Sequence, residues 1–271
     1  MKDLDLSILT YSNIKHSDAW EIYVGQMKEL FPFDVDHYFL VDTVEGTNPS
    51  LTDHMIKVYY DDATQTVSEQ YTSALENVKT KYFIHDMEDF ILYDRPNSDQ
   101  LIECMKFLDE NEYDFVRLIK CGISESNVRN VKDNFYLIDS SDPYSYSHAT
   151  TIWKTDSFNK IHNFMIDYKN KNKIEPQKFK GTGREGNTKK MLDINKEGFI
   201  NDVCKENDLT KGVYYYDGEP SVPRTNHYYS NIYPFIMTAI KGSKWNFESY
   251  AEIITSLFHK YNIKPTRELL K

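Results

Sequence analysis

The stretch Phe83 to Leu92, FIHDMEDFIL, sets three carboxylates, Asp86, Glu88 and Asp89, between two runs of large apolar residues. Carboxylate oxygens are hard ligands suited to Mg²⁺ or Mn²⁺. At positions i and i+2 of an extended segment side chains point the same way, so Asp86 and Glu88 could converge on one cation. If the chain turns there, Asp89 takes over from Glu88. A divalent ion so held would let an acidic protein bind a diphosphate, because it bridges carboxylate and phosphate oxygens and stabilises a departing diphosphate. The spacing alone decides little: with 42 acidic residues among 271, roughly six such pairs arise by chance. The plain alternative is a solvated turn. What favours a site is the context, an apolar strand entering, carboxylates at its end, and the apolar run FIL leaving.

Composition limits the partners. Formal net charge is −10, and no Lys/Arg cluster is dense enough for general nucleic-acid binding by phosphate neutralisation. An anionic ligand therefore needs local positive charge or a metal ion. Cys104, Cys121 and Cys204 are odd in number and widely spaced, which indicates neither a zinc cluster nor a disulfide framework. The first ten residues lack a signal-peptide pattern and no stretch nears the ~20 apolar residues of a membrane span. A cytoplasmic location is the expectation. The 21 Tyr and 15 Phe are many for this length, and tyrosines often line polar ligand sites because each ring offers a stacking face and a hydroxyl.

The elements that must position the carboxylates alternate. LDLSILTY reads as a strand, and HSDAWEIYVGQMKELFP as a helix with Ser17 as its cap and Trp20, Tyr23, Val24, Met27 and Leu30 at helical spacing before Pro32. DHYFLVD and MIKVYYDD follow as strands, TVSEQYTSALENVKT as a helix, and KYFIHDMEDFIL as the next strand. This order predicts an α/β fold, a Rossmann-like, mostly parallel mixed sheet flanked by helices, with ligands beyond the carboxyl ends of its strands. Tyr11, Asp42, Asp61 and Asp86 then share one edge. Further along, SDQLIECMKFLDENE, DSFNKIHNFMIDYKN, EGFINDVCKEN and SYAEIITSLFHKYNI read as helices, and YDFVRLIKCG, NFYLIDS, HATTIWK and GVYYYDG as strands. Lys171 to Lys190 is basic, rich in Gly and Asn, and reads as a loop able to close over a ligand.

The order of elements, TVSEQYTSALENVKT and the following YFIHDMEDFIL resemble the nucleotide-binding half of GT-A-fold glycosyltransferases over about residues 4 to 120. HATTIWKTDSF and YPFIMTAIKGSKWNFESY add a looser similarity. The resemblance implies a single domain over 1–271, with residues 1–120 binding a nucleotide-diphospho-sugar and 121–271, which include the C-terminal helix, binding the acceptor. It places Asp86 near ribose and metal and Glu88, or Asp89, as metal ligand. It also puts Tyr11, Asp42 and Asp61 where such enzymes meet the nucleotide base. His227 matches a C-terminal histidine on the metal, and Arg224, Lys180 and Arg184 could meet phosphate oxygens. This chain departs from the family's Asp-x-Asp motif in having Asp-Met-Glu followed by Asp89, which leaves metal independence open.

Sugar transfer with inversion requires a carboxylate to take the acceptor hydroxyl's proton. The family supplies it at the start of a helix after the central sheet, and the best matches are Glu197 and Asp202 in EGFINDVCKEN. A retaining enzyme needs no such base. Trp153 and Trp245 could stack on a sugar, although their apolar surroundings favour core packing. The expected function is therefore transfer of a sugar from a nucleotide-diphospho-sugar to a hydroxyl acceptor, such as a glycan, with Mn²⁺ or Mg²⁺. Two alternatives remain. One is a sugar-phosphate nucleotidyltransferase, against which stands the absence of glycine in LTYSNIKHSDAW, where a phosphate loop would lie; the other is an inactive transferase fold that binds glycans.

Overall fold

A computed structural model describes residues 4–120, 129–140, 144–173, 197–217 and 230–270. His227, Arg224, Lys180, Arg184 and Cys121 lie outside them. The chain runs β1 (Leu6–Tyr11), α1 (Ser17–Leu30), β2 (His37–Val41), β3 (Ile56–Tyr59), α2 (Val67–Leu75), β4 (Tyr82–Met87), β5 (Ile91–Leu92), α3 (Ser98–Glu110), β6 (Phe115–Arg117), β7 (Asn130–Lys132), β8 (Phe135–Ile138), β9 (Thr151–Lys154), α4 (Thr155–Asn172), α5 (Glu197–Glu206) and β10 (Gly212–Tyr215). The short strands β11 (Phe235–Ile236), β12 (Ile240–Lys241) and β13 (Lys244–Trp245) precede α6 (Phe247–Tyr261).

Nine strands form one sheet in the order β3-β2-β1-β4-β9-β6-β10-β8-β7. β3, β2, β1 and β4 are mutually parallel, and β9 runs against β4 and β6. β10 is parallel to β6, and β8 runs against β10 and β7. Only β8 and β9 therefore oppose the common direction, and the architecture is the α/β class with a mostly parallel mixed sheet expected from the sequence. β9 comes from the second half of the chain yet lies between β4 and β6 of the first, so the halves share one sheet.

Both faces are covered, which is why β1, β2 and β4 read as near-continuous apolar runs. Residues such as Ile8, Phe39 and Ile84 face a core built with Trp20, Tyr23, Phe107 and Leu257, from α1, α3 and α6. Leu9, Leu40 and Phe83 face the opposite core with Tyr71, Phe158 and Ile200, from α2, α4 and α5. Trp153 and Trp245 are both 1% exposed, so core packing is their role and sugar stacking is not. Cys104 and Cys204 are buried free thiols.

Two local expectations are corrected. The strand expected over KYFIHDMEDFIL stops at Met87, and a turn closed by Phe90 N–H to Met87 O at 3.0 Å breaks it from β5. Ser17 opens α1 but does not cap it; a 3₁₀ turn, Ile14–His16, precedes the helix and Asn13 caps that turn through Lys15 N–H. Where β10 meets β6, a Cβ on Gly212 would run into the Phe115 ring. Gly212→Ala is expected to cost about 1–3 kcal/mol through overpacking, measured as a lower urea midpoint with an unchanged slope.

Candidate active site

Because β1 to β4 are parallel, their carboxyl ends bring Tyr11, Asp42, Asp61 and Asp86 to one edge, as expected. All four are engaged by neighbouring residues there. Asp42 Oδ1 accepts from Ile14 N–H (2.8 Å) and Thr43 N–H (3.0 Å), while Oδ2 accepts from Asn13 Nδ2 (3.0 Å). It thereby fixes the loop between β1 and α1. Asp61 is exposed and accepts from Ala63 N–H (2.8 Å) and Thr64 Oγ1 (2.7 Å), holding its own turn. Tyr11 stacks on Tyr60, ring centres 5.4 Å apart and 11° between planes, and donates to Gln70 Oε1 at 2.9 Å. Burial pushes the Tyr11 phenol up to about 12, so it stays a neutral donor with one ring face against protein.

Asp86 is completely buried. Its Oδ2 accepts from the hydroxyls of Tyr23 (3.0 Å) and Tyr233 (3.3 Å), and Oδ1 from Thr150 (3.1 Å). Since Tyr23 donates to Asp86, it must accept from Thr10 Oγ1 at 2.7 Å, and Thr10 in turn from His37 Nε2 at 2.6 Å. A line of donors from β2 thus ends on Asp86. Burial raises its carboxyl to about 7 despite the hydroxyls, which pull it down. The expectation of carboxylates free at a strand's end is corrected: this one is a buried tie between α1, the residue that enters β9 and the segment before β11.

Glu88 and Asp89 occupy the turn itself and are 1% and 7% exposed. Glu88 Oε1 contacts His16 Nδ1, and that partner raises the His16 imidazole above its usual range. Glu88 Oε2 and Asp89 Oδ1 are buried without a hydrogen-bond partner. Burial and then the neighbouring Glu88 charge hold the Asp89 carboxyl well above the usual carboxylate range. Two orphaned, hard carboxyl oxygens on successive residues of this turn fit a small divalent cation, which commonly takes only one or two carboxylates and fills its shell with phosphate oxygens and water. Among the described residues no group of three or more His, Cys, Asp or Glu is arranged to hold a metal alone. Asp86, with both oxygens engaged, does not fit as a ligand.

The candidate bases separate. Glu197, the first residue of α5, accepts His148 N–H on Oε1 at 2.8 Å. One turn later Asn201 Oδ1 accepts from Ser145 Oγ (2.7 Å) and Tyr146 N–H (2.8 Å). These contacts dock α5 on the loop that enters β9, two residues before Thr150 and its bond to Asp86. Glu197 therefore stands at the same edge as the carboxylate turn. Asp202 is exposed, 100° further round the helix than Asn201, and has no part in that docking. Sequence reasoning missed His16, Tyr23, His148, Thr150 and Tyr233. Tyr23 was hidden as one more member of the apolar stripe of α1, and the HAT of HATTIWK was the one polar signal for His148 and Thr150.

The buried ionisable groups set a pH dependence. Asp86 ionises near 3.9 in an unfolded chain and near 7 when folded, so between those values the native state retains a proton that the unfolded state has lost and stability falls as pH rises. His16, raised by Glu88, stabilises fully below ~6.5 and less above its folded value. His37 and His162, lowered to about 3 by burial, act in the opposite sense, since stability rises with pH from about 3 to ~6.5 and then no further. The two sets oppose one another below pH ~6.5, and only the destabilising set acts above it. Thermal midpoints are expected to fall from pH 6.5 to 8; a flat or rising profile would contradict these placements.

No helix among the described residues is long and apolar enough to cross a membrane. No protein-family model matches the chain, and no curated protein is similar to it in sequence. Similar solved structures include S. aureus TarS 1–349, with 11% identity and TM-score 0.45, covering 96% of this chain and 65% of that one. A cytidylyltransferase from Leptospira borgpetersenii has 10% identity and TM-score 0.45, covering 99% of this chain and 100% of that one. The S. cerevisiae mannosyltransferase Ktr4p has 15% identity and TM-score 0.34, covering 62% and 61%. The chain spans about two thirds of the length of TarS 1–349, and TarS has also been solved with UDP-GlcNAc and with UDP. All these TM-scores lie under 0.5, so the chemistry is read from this chain's own side chains.

Proposed function

We propose that the protein is a glycosyltransferase that moves a sugar from a nucleotide-diphospho-sugar to a hydroxyl acceptor. The observation that carries this is the turn at Glu88 and Asp89, where two buried, unpartnered carboxylate oxygens stand at the carboxyl edge of a parallel sheet, the usual ligand position in such sheets. Glu88 and Asp89 would hold Mg²⁺ or Mn²⁺, which when bound offsets the charge of a departing diphosphate. Tyr11 and Asn13, at the end of β1, flank the donor from the side of its nucleotide. Glu197 takes the proton of the acceptor hydroxyl through the oxygen not held by His148 N–H, in a reaction that inverts configuration.

A panel of UDP-, GDP- and CMP-linked sugars, screened with and without Mn²⁺, tests this. A thermal midpoint that rises only with donor and Mn²⁺ together, followed by slow release of the nucleotide, is the expected result. No response to any donor would end the proposal, and release of pyrophosphate from a nucleoside triphosphate would replace it with nucleotidyl transfer.

A further inference from the structure

Three histidines lie on the α2/α4 face of the sheet beneath this edge. His85 Nε2 is bonded to the Tyr71 hydroxyl at 2.7 Å. His162 uses both ring nitrogens, on the Tyr146 hydroxyl at 3.2 Å and Ser68 Oγ at 3.0 Å. His148 Nε2, like His85 Nδ1, is buried with no partner, but His148 as a residue is half-buried where His85 and His162 are fully buried. A buried polar nitrogen left unpaired costs about 1–3 kcal/mol, which a ligand atom can recover.

The surroundings of His148 say what that atom could be. Its backbone N–H holds Glu197 at 2.8 Å, and the Glu197 carboxylate lies close enough to act on the imidazole electrostatically. The ring is fixed edge-on among His85, Tyr146 and Tyr71, at centre distances of 5.5, 5.6 and 6.0 Å. Burial keeps it neutral. One residue therefore anchors two hydrogen-bonding groups, a neutral ring nitrogen and a carboxylate. Adjacent hydroxyls of a pyranose present a matching pair, since each can donate or accept.

We propose that His148 is a sugar-contacting residue: its Nε2 hydrogen-bonds one hydroxyl of a pyranose whose neighbouring hydroxyl meets the Glu197 carboxylate. The assignment rests on the transferase reading for calling this sugar the acceptor, and on the local geometry alone for the contact itself.

Histidine ring-nitrogen NMR on ¹⁵N-histidine-labelled protein tests it, with methyl gluco-, galacto- and mannopyranosides as probes. One histidine signal is expected to shift with at least one pyranoside, to be missing in His148→Gln, and to leave the His85 and His162 signals in place. Glu197→Gln, which keeps the ring, is expected to weaken that pyranoside about tenfold. No histidine shift with any probe, or a shift that persists in His148→Gln, overturns the proposal. UDP with Mn²⁺ is titrated separately into the same protein; failure of UDP to bind counts against the transferase reading, while a pyranoside response without it supports His148 alone.

Discussion

Asp86→Ala is expected to destabilise the protein by about 3 kcal/mol, a fall of roughly 6–12 °C in thermal midpoint for a chain of this size. The cause is not loss of a ligand. Three hydroxyls from different parts of the chain, those of Tyr23, Thr150 and Tyr233, converge on this fully buried carboxylate. Removing the acceptor leaves those donors short of a partner, and the unpaired groups carry the penalty. Some relief follows because Tyr23 keeps Thr10 and Tyr233 keeps the Met27 sulfur at 3.8 Å, and because a buried carboxyl with a raised pKa no longer has to be desolvated. Asp86→Asn keeps the shape and one acceptor, so a loss of about 1 kcal/mol is expected. That variant should still bind Mn²⁺, seen by electron paramagnetic resonance titration; loss of Mn²⁺ from a folded Asp86→Asn protein would return Asp86 to the ligand set.

Glu197→Gln carries the second large effect. A positioned general base contributes typically 10²–10⁴-fold, and glutamine retains the acceptor oxygen for His148 N–H while being unable to take a proton. Transfer should fall by about that factor in kcat, with donor binding and thermal midpoint close to the parent's. Asp202→Asn, on the exposed side of α5, is expected to transfer at the parental rate. Equal losses in the two variants, or a Glu197→Gln enzyme that transfers normally, would remove Glu197 as the base; the latter is also what a retaining reaction gives.

The parallel half of the sheet was legible because β1, β2 and β4 are central and apolar on both faces, and α1 and α2 carry regular helical stripes. α2 even announces its start, with Thr66 and Glu69 forming a reciprocal capping box. The short strands β5, β7, β11, β12 and β13, of two or three residues each, offer too few positions for any periodicity. The break after Met87 was harder to see, because FIL is as apolar as a continuing strand would be. Which carboxylate becomes buried depends on what packs over it. Tyr233 comes from 147 residues downstream of Asp86, and no local pattern in HDMED reports such a partner. Asp42 shows the same limit in reverse. Its position at the end of β2 was legible, but its engagement by Asn13, Ile14 and Thr43 turned a candidate base contact into a loop fastener.

The claim that the turn at Glu88 and Asp89 receives a diphosphate through a cation is tested most directly by comparing Mn²⁺-dependent donor binding in the parent with that in the Glu88→Gln/Asp89→Asn double variant. The parent is expected to gain several degrees in thermal midpoint when donor and Mn²⁺ are added together, in line with the ~2.7 kcal/mol that a ligand at 100 times its Kd provides. The double variant, with amides of similar shape in place of the two buried carboxyl groups, should fold and show no such gain. A donor response equal in both proteins, or one indifferent to Mn²⁺ in the parent, would contradict the account.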